Sequence, residues 1–251
     1  MQTWFRSHLA SAVAGGLVVA GTFLLLGVTG RRSTETIVEQ GPLMARQAAN
    51  TSSALTPHAI YVRAARGTVF VRAYGARNRS ASTGSGFLAD SRGDILTTYG
   101  VIAGAGGVAV QFADDHIRRA RVLAQDADDD IAVLRVQGSA PPPVRPLTLG
   151  DSTTVRVGDP VLAVGDPFGY DRTLTSGIVS ALQQRITDPS GLRVANVIQT
   201  DAPVSPGSVG GPLLDADGRV IGITGSGAGG AISFAVPIDT ASALLDRVQA
   251  S

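Results

Sequence analysis

Short runs of β-branched and other apolar residues recur along most of this chain, and turn-forming residues separate them. Two of the turns, Asp90–Gly93 and Asp215–Gly218, combine an Asp that can bond the nearby backbone with a Gly that tolerates positive φ. Strands at this spacing predict an all-β fold, either barrels or a sandwich. The 31 glycines and the 5% aromatic content suit many short strands and tight turns. The predicted strands are Thr68–Tyr74, Ser85–Ala89, Val108–Phe112, Arg121–Ala124, Ile131–Val136, Pro160–Val164, Thr173–Ser176, Gly177–Ala181, Val194–Gln199, Arg219–Thr224 and Ala231–Ala235.

A continuous apolar stretch sets the amino-terminal part of the chain apart. Leu9–Thr29 carries no charge and is long enough to cross a bilayer as a helix. The small-x-small site at its end is weak, which favours an anchor that is kept over a signal peptide that is removed. We therefore predict a transmembrane anchor at residues 1–32 and a polar stalk at residues 33–57. Arginines flank the stretch on both sides, so charge leaves the membrane orientation open.

The last predicted element is a helix. Between Thr240 and Ala250 the apolar residues recur at helical spacing, so they fall on one face. That face comprises Ala241, Leu244, Leu245 and Val248. We expect a short amphipathic helix that packs against the β domain.

Composition excludes several classes of site. The chain has no cysteine, which excludes disulfides, thiolate metal sites and cysteine nucleophiles. All 21 basic residues are arginine, which excludes a Walker-A lysine and a Ser–Lys dyad. A net charge of +1 predicts no nucleic-acid partner. No metal-ligand spacing occurs, and the GxGxxG run at residues 225–230 lies between two predicted strands, so we expect neither a metal nor a cofactor.

Three ordered segments resemble the HtrA/Deg branch of the chymotrypsin-fold serine proteases. Residues 84–105 match the family pattern GSGF followed by ILTNxHV, and residues 126–134 match its D-[IL]-A-[VL]-L strand. Residues 199–214 match QTDAxINPGNSGGPLL. With shorter linking matches, the resemblance covers about residues 58–245 in order and without large gaps.

The resemblance implies a fold and a location. The fold is all-β, with two six-stranded antiparallel barrels of the chymotrypsin type, and the active site lies between them. We place the first barrel at residues 58–150 and the second, with the C-terminal helix, at residues 151–251. We also expect a single-pass membrane protein whose β domain is extracytoplasmic. Relatives often carry PDZ domains and form trimers; we expect no PDZ domain here, and a homotrimer rests on the resemblance alone.

The matched register places unusual residues at the catalytic positions. Gly100 falls at the position of the catalytic histidine and Val209 at that of the nucleophile. Asp130 falls at the position of the triad acid and is the one residue of the three that matches the family. Glycine has no side-chain base to accept a proton, and the valine side chain has no lone pair with which to attack a carbonyl. Loss of either the histidine or the nucleophile from an active protease lowers turnover by about 10^6-fold. We therefore predict a pseudoprotease, with a polar, hydrated pocket at Asp130 that Tyr99 partly covers.

Part of the binding apparatus does not depend on the lost side chains. In the family, backbone N–H groups at the positions of Gly207 and Val209 form the oxyanion hole. Ile223, Thr224 and Gly225 are the predicted edge for an extended peptide. We expect a peptide or protein ligand in the cleft between the barrels. A purely structural scaffold is the alternative.

An active serine endopeptidase is a further alternative. Ser208, beside Val209, is the best substitute nucleophile, although its side chain is expected to point away from the scissile bond. A substitute base would have to be a histidine, because the chain has no lysine. The three histidines, all poorly placed for this role, are His8, His58 and His116.

Overall fold

The computed structural model describes residues 55–75, 80–138, 144–167, 171–187, 193–225 and 232–250. The predicted membrane anchor and nearly all of the predicted stalk lie outside these residues. Within the described part of the chain, no helix is both long enough and apolar enough to span a membrane.

The strands of the described residues close into two antiparallel barrels of six strands each, in the orders β1-β2-β3-β6-β5-β4 and β10-β11-β12-β9-β8-β7. The prediction of an all-β, two-barrel fold is therefore confirmed. The first barrel consists of β1 (Thr68–Tyr74), β2 (Ser80–Leu88), β3 (Asp94–Thr97), β4 (Gly107–Gln111), β5 (Ile117–Asp126) and β6 (Ile131–Val136). The second consists of β7 (Pro160–Gly165), β8 (Thr173–Thr187), β9 (Arg193–Thr200), β10 (Pro212–Leu214), β11 (Val220–Thr224) and β12 (Ser233–Pro237).

Three helices accompany the barrels in the described residues: α1 (Pro57–Gly67), α2 (Tyr99–Ile102) and α3 (Ile238–Ala250). Helix α1 was not predicted, although its start carries a signal. The Thr56 side chain accepts the Ala59 N–H at 3.2 Å, and proline occupies the first helical turn, where it needs no hydrogen bond.

Each barrel has its own apolar core, and a third cluster lies between the barrels. The third cluster joins Phe87 and Leu96 of the first barrel to Leu162 and Ile223 of the second. Buried residues of α1 and α3 belong to the same cluster; they are Ile60, Ala64, Ile238, Ala241, Leu244 and Leu245. The two helices therefore fill the space between the barrels and fix how the barrels meet.

Helix α3 also ties the two barrels together by a polar contact. It follows β12 directly, and its apolar face is buried as predicted, except that Val248 is only half-buried. Near its end, Gln249 Nε2 donates to Asp90 Oδ2 at 2.8 Å, in the turn between β2 and β3. A helix that begins on the second barrel thus ends on the first.

Leu245→Ala should lower the free energy of unfolding by about 2–4 kcal/mol, because it leaves a cavity in the cluster between the barrels. Urea denaturation of the full chain, followed by circular dichroism, measures the change. The matched control is Asp246→Ala on the exposed face of the same helix, which should stay within about 0.5 kcal/mol of the parent. An equal loss of unfolding free energy in both variants would contradict the burial of Leu245 in the cluster between the barrels.

Candidate functional site

The loop between β9 and β10 is held between the barrels by hydrogen bonds to the first barrel. The Ser85 N–H donates to Val209 O at 2.7 Å, and Ser85 Oγ donates to Gly207 O at 2.9 Å. The same hydroxyl accepts the Asp166 N–H, at 2.8 Å, from the end of β7. One buried hydroxyl on β2 therefore connects the loop to both barrels. Sequence reasoning placed Ser85 in a family motif but did not assign it this role.

Small residues let this loop pack tightly. Gly210 has φ +90°, and a Cβ there would overlap Ser85 O and Thr97 Oγ1. Its N–H donates to Thr224 O at 2.6 Å, and the Thr224 N–H donates to Gly211 O at 2.8 Å. The path of the loop is thus set by backbone contacts that do not involve a catalytic side chain.

Val209 joins the first barrel through its side chain. Its φ of −59° and ψ of 134° follow a 3₁₀ turn at Pro206–Ser208. The side chain is half-buried and packs against the apolar cluster of the first barrel, which includes Val101 and Ile102. Its N–H, one of the two predicted oxyanion donors, points to Pro206 O at 3.4 Å. That hydrogen bond is long and weak, so a small rotation of the peptide unit would break it.

Gly100 and Asp130 lie together, on the side of the first barrel that carries α2. The Gly100 N–H donates to Asp130 Oδ1 at 2.8 Å, so the carboxylate satisfies a donor in the first turn of α2. Asp130 is 8% exposed and adopts φ +51°, in the turn between β5 and β6. A Cβ added at Gly100 would lie 3.5 Å from the same carboxylate oxygen, an ordinary van der Waals distance. The position occupied by Gly100 therefore has room for a side chain directed at Asp130.

The carboxylates that precede Asp130 influence one another. Burial raises the pKa of Asp129, and the neighbouring charges of Asp126 and Asp128 raise it further, while Arg247 of α3 opposes them. Asp126 Oδ1 accepts the N–H groups of Asp128 and Asp129 at 3.0 and 3.2 Å. This turn is therefore held by its own side chains.

The histidines within the described residues lie on exposed elements. His58 is in the first turn of α1, and His116 is in the hairpin between β4 and β5, where its N–H donates to Asp114 Oδ1 at 3.2 Å. His8 lies outside the described residues.

Ser208 is buried rather than presented to solvent. It is 8% exposed, and its Oγ lies 2.8 Å from Ser205 Oγ. The two serines line a mostly apolar cavity of 210 Å³ whose other walls come from the second barrel. Those walls are Ala163, Val164, Gly165, Thr173, Thr175 and Pro203. A second hydroxyl is a poor general base, so this pair alone does not activate a nucleophile.

The residues expected to form the peptide-binding edge lie within the second barrel. Strand β11 runs between β10 and β12, and Ile223 has partners on both sides, Pro212 and Val236. Thr224 uses its N–H and its carbonyl in bonds to the site loop, and the Gly225 N–H donates to Phe234 O at 2.8 Å. The backbone groups used in these pairs are not available to a peptide.

A buried ion pair borders the site and was not predicted. Arg172 Nη2 lies 3.3 Å from Asp166 Oδ2, and the two side chains are 8% and 0% exposed. The same Nη2 donates to Thr68 O at 3.4 Å, and Tyr61 Oη of α1 donates to Arg172 O at 2.9 Å. The pair joins the consecutive elements α1 and β1 to the segment after β7, which is distant from them in sequence, so no local pattern could have revealed it.

Comparison with known families identifies the architecture. A family model described as "Trypsin-like peptidase domain" matches residues 84–223. Two solved structures are similar: an HtrA-type protease, AlgW, with a tripeptide, and Deg5. The first has a TM-score of 0.67 and 32% identity, and the match covers 77% of this chain and 64% of that one. The second has a TM-score of 0.62 and 34% identity, over 73% and 88% of the two chains.

Curated relatives match the same region. Protease Do-like 1, chloroplastic, of Arabidopsis thaliana is 43% identical over 172 residues, which is 66% of this chain and 39% of the relative. A probable periplasmic serine endoprotease DegP-like of Pseudomonas fulva is 39% identical over 183 residues, which is 70% of this chain and 37% of the relative. The chain thus spans well under half the length of these relatives.

Ser85→Ala should destabilise the protein by about 1–3 kcal/mol, because Gly207 O and the Asp166 N–H both lose a buried hydrogen-bond partner. Amide hydrogen exchange at Gly210 and Gly211 should become faster, since the loop loses a contact with β2. Ser82→Ala, on the same strand but half-buried, is the control and should change neither quantity appreciably. Unchanged exchange in Ser85→Ala would show that the hydroxyl does not hold the loop.

Proposed function

This chain belongs to the family of trypsin-like peptidase domains and is homologous to the HtrA/Deg proteases, and we propose that it is a non-catalytic member that binds peptides between its barrels. The observation that carries the proposal is the identity of two residues. Gly100 stands at the position matched to the general base, and Val209 at the position matched to the nucleophile.

The surroundings of both residues support this assignment. Gly100 lies against Asp130, the acid that the family uses to orient its imidazole, at a distance suited to a side chain. Val209 lies in the loop that Ser85 holds between the barrels. Acyl transfer needs a hydroxyl or thiol to attack and a base to take its proton, and these two positions supply neither.

A binding role is supported by the surface next to the site loop. The cavity of 210 Å³ beside Ser205 and Ser208 is mostly apolar, as a pocket for a peptide side chain would be. One structural neighbour, the HtrA-type protease AlgW, was solved with a tripeptide. In our proposal, main-chain bonds to the second barrel hold an extended peptide, and the cavity takes one of its side chains.

The location proposed for this activity is extracytoplasmic and at a membrane. The apolar, uncharged stretch Leu9–Thr29 supports a membrane tether. The name of the Pseudomonas fulva relative describes that protein as periplasmic. This supports an extracytoplasmic position for the β domain of the present chain. Together these features favour a role in the regulation or quality control of envelope proteins.

A fluorophosphonate probe, which phosphonylates activated serines with loss of fluoride, tests the absence of catalysis. The full chain should remain unlabelled and should not cleave denatured casein. The double variant G100H/V209S should be labelled at the introduced serine, because Gly100 has room for a side chain beside Asp130. Each single variant is the matched control and should stay unlabelled.

Two outcomes separate the alternatives. Labelling of the parent that disappears in Ser208→Ala would replace our proposal with an active endopeptidase that uses Ser208. A double variant that folds but stays unlabelled would contradict the assignment of Gly100 and Val209 to the catalytic positions.

Peptide binding is tested by filling the cavity. Thr175→Phe should weaken the binding of fluorescein-labelled denatured casein by about tenfold or more, measured by fluorescence anisotropy, because the ring occupies the space for a peptide side chain. Ser176→Phe is the control, since successive strand residues point to opposite faces and Ser176 does not line the cavity. If the parent does not bind the probe, the scaffold alternative is favoured.

A further inference from the structure

A groove of 630 Å³, formed by α1, the segment before Leu147 and the β10–β11 turn, has an unusual concentration of arginine. The arginines that line it, here called the arginine groove, are Arg63, Arg66, Arg145 and Arg219. All four are exposed, and the single carboxylate of the lining is Asp217. The whole chain has a net charge of only +1, so this surface differs in charge from the rest of the molecule.

The walls of the groove are held in place by buried contacts. Ile60 and Ala64 of α1, Leu147 and Val220 belong to one apolar cluster, so all three walls share a core. The Leu147 N–H donates to Leu88 O at 2.9 Å, and the Val220 N–H donates to Thr148 O at 2.9 Å. The arginine side chains therefore project from backbone that is already fixed, which lowers the entropy lost when a ligand binds.

Among the described residues, the groove arginines take part in no ion pair, and Asp217 is the one carboxylate in the lining. The ion pairs found among the described residues join Arg118 to Asp114, Arg135 to Asp94 and Arg172 to Asp166, and none includes a groove arginine. Arg63 and Arg66 are three residues apart on α1, so they lie on one face of the helix. Cations gathered in a concave surface attract anions to it.

We propose that the arginine groove binds phosphate-type oxyanions. Guanidinium groups present planar, paired N–H donors that fit the oxygens of a phosphate bidentately, and Thr148 adds a hydroxyl to the lining. The volume suits a molecule of the size of a di- or triphosphate, or a phospholipid headgroup. The site is separate from the loop between the barrels, and its function does not depend on peptide binding there.

Isothermal titration of the full chain, in a non-ionic detergent, with tripolyphosphate tests the proposal. We expect saturable binding that weakens as salt is added. R63Q/R66Q should weaken the affinity by about tenfold or more for each arginine lost, because charge-assisted hydrogen bonds are removed. R219Q, from a different wall, should weaken it as well, which guards against an effect on the folding of α1.

The matched control is R119Q/R121Q. These two exposed arginines on β5 line a separate concavity of 690 Å³, so the variant loses the same charge elsewhere. Its affinity for tripolyphosphate should equal that of the parent. Equal weakening in the control, or no binding by the parent, would overturn the proposal. Binding of hexaglutamate but not of tripolyphosphate would also overturn it, in favour of an acidic-peptide site.

The source of the phosphate is distinguished by the composition of the micelles. Detergent micelles that contain phosphatidylglycerol should compete with tripolyphosphate if the groove meets lipid headgroups, while micelles that contain phosphatidylcholine should not. Competition in the parent that R63Q/R66Q abolishes supports a headgroup ligand. Undiminished tripolyphosphate binding in both kinds of micelle supports a soluble phosphorylated ligand.

Discussion

The apolar cluster between the two barrels is the interaction on which the site depends. Both barrels contribute to it, and α1 and α3 complete it, so the barrels meet in one way. The loop between β9 and β10 then lies between surfaces that are already fixed, and Ser85 and Thr224 hold it through hydrogen bonds. The geometry of the site is thus a product of packing and of backbone pairing.

This dependence is consistent with the non-catalytic member that we propose, because the fold would persist without protease chemistry. The interactions that shape the loop use main-chain groups, small residues and the hydroxyl of Ser85. Val209 adds an apolar side chain to the cluster of the first barrel, and burial of apolar surface favours folding. In the non-catalytic role that we propose, Gly100 and Val209 would remove reactivity while leaving the contacts that stabilise the fold.

Most strands and the two Asp–Gly turns were predictable from the sequence because their causes are local, whereas β3 and β10 were not predicted and the single strand β8 was predicted as two. Asp90 Oδ1 accepts the N–H groups of Arg92 and Asp94, and Asp215 Oδ1 does the same for Asp217 and Arg219, as the turn chemistry predicts. Helix α1 was missed although a capping threonine followed by proline marks its start. The Ser85 bridge, the Asp166–Arg172 pair and the arginine groove were not predictable, since each joins segments that are far apart in the chain.

The bond between Asp130 and the Gly100 N–H has a consequence for how such a site decays during evolution. A carboxylate that also caps a turn contributes to folding whether or not an imidazole stands beside it. Under the non-catalytic role that we propose, selection for a stable domain would preserve this acid after turnover had ceased. Survival of one member of a catalytic set is accordingly weak evidence for activity when that member has a second, structural duty.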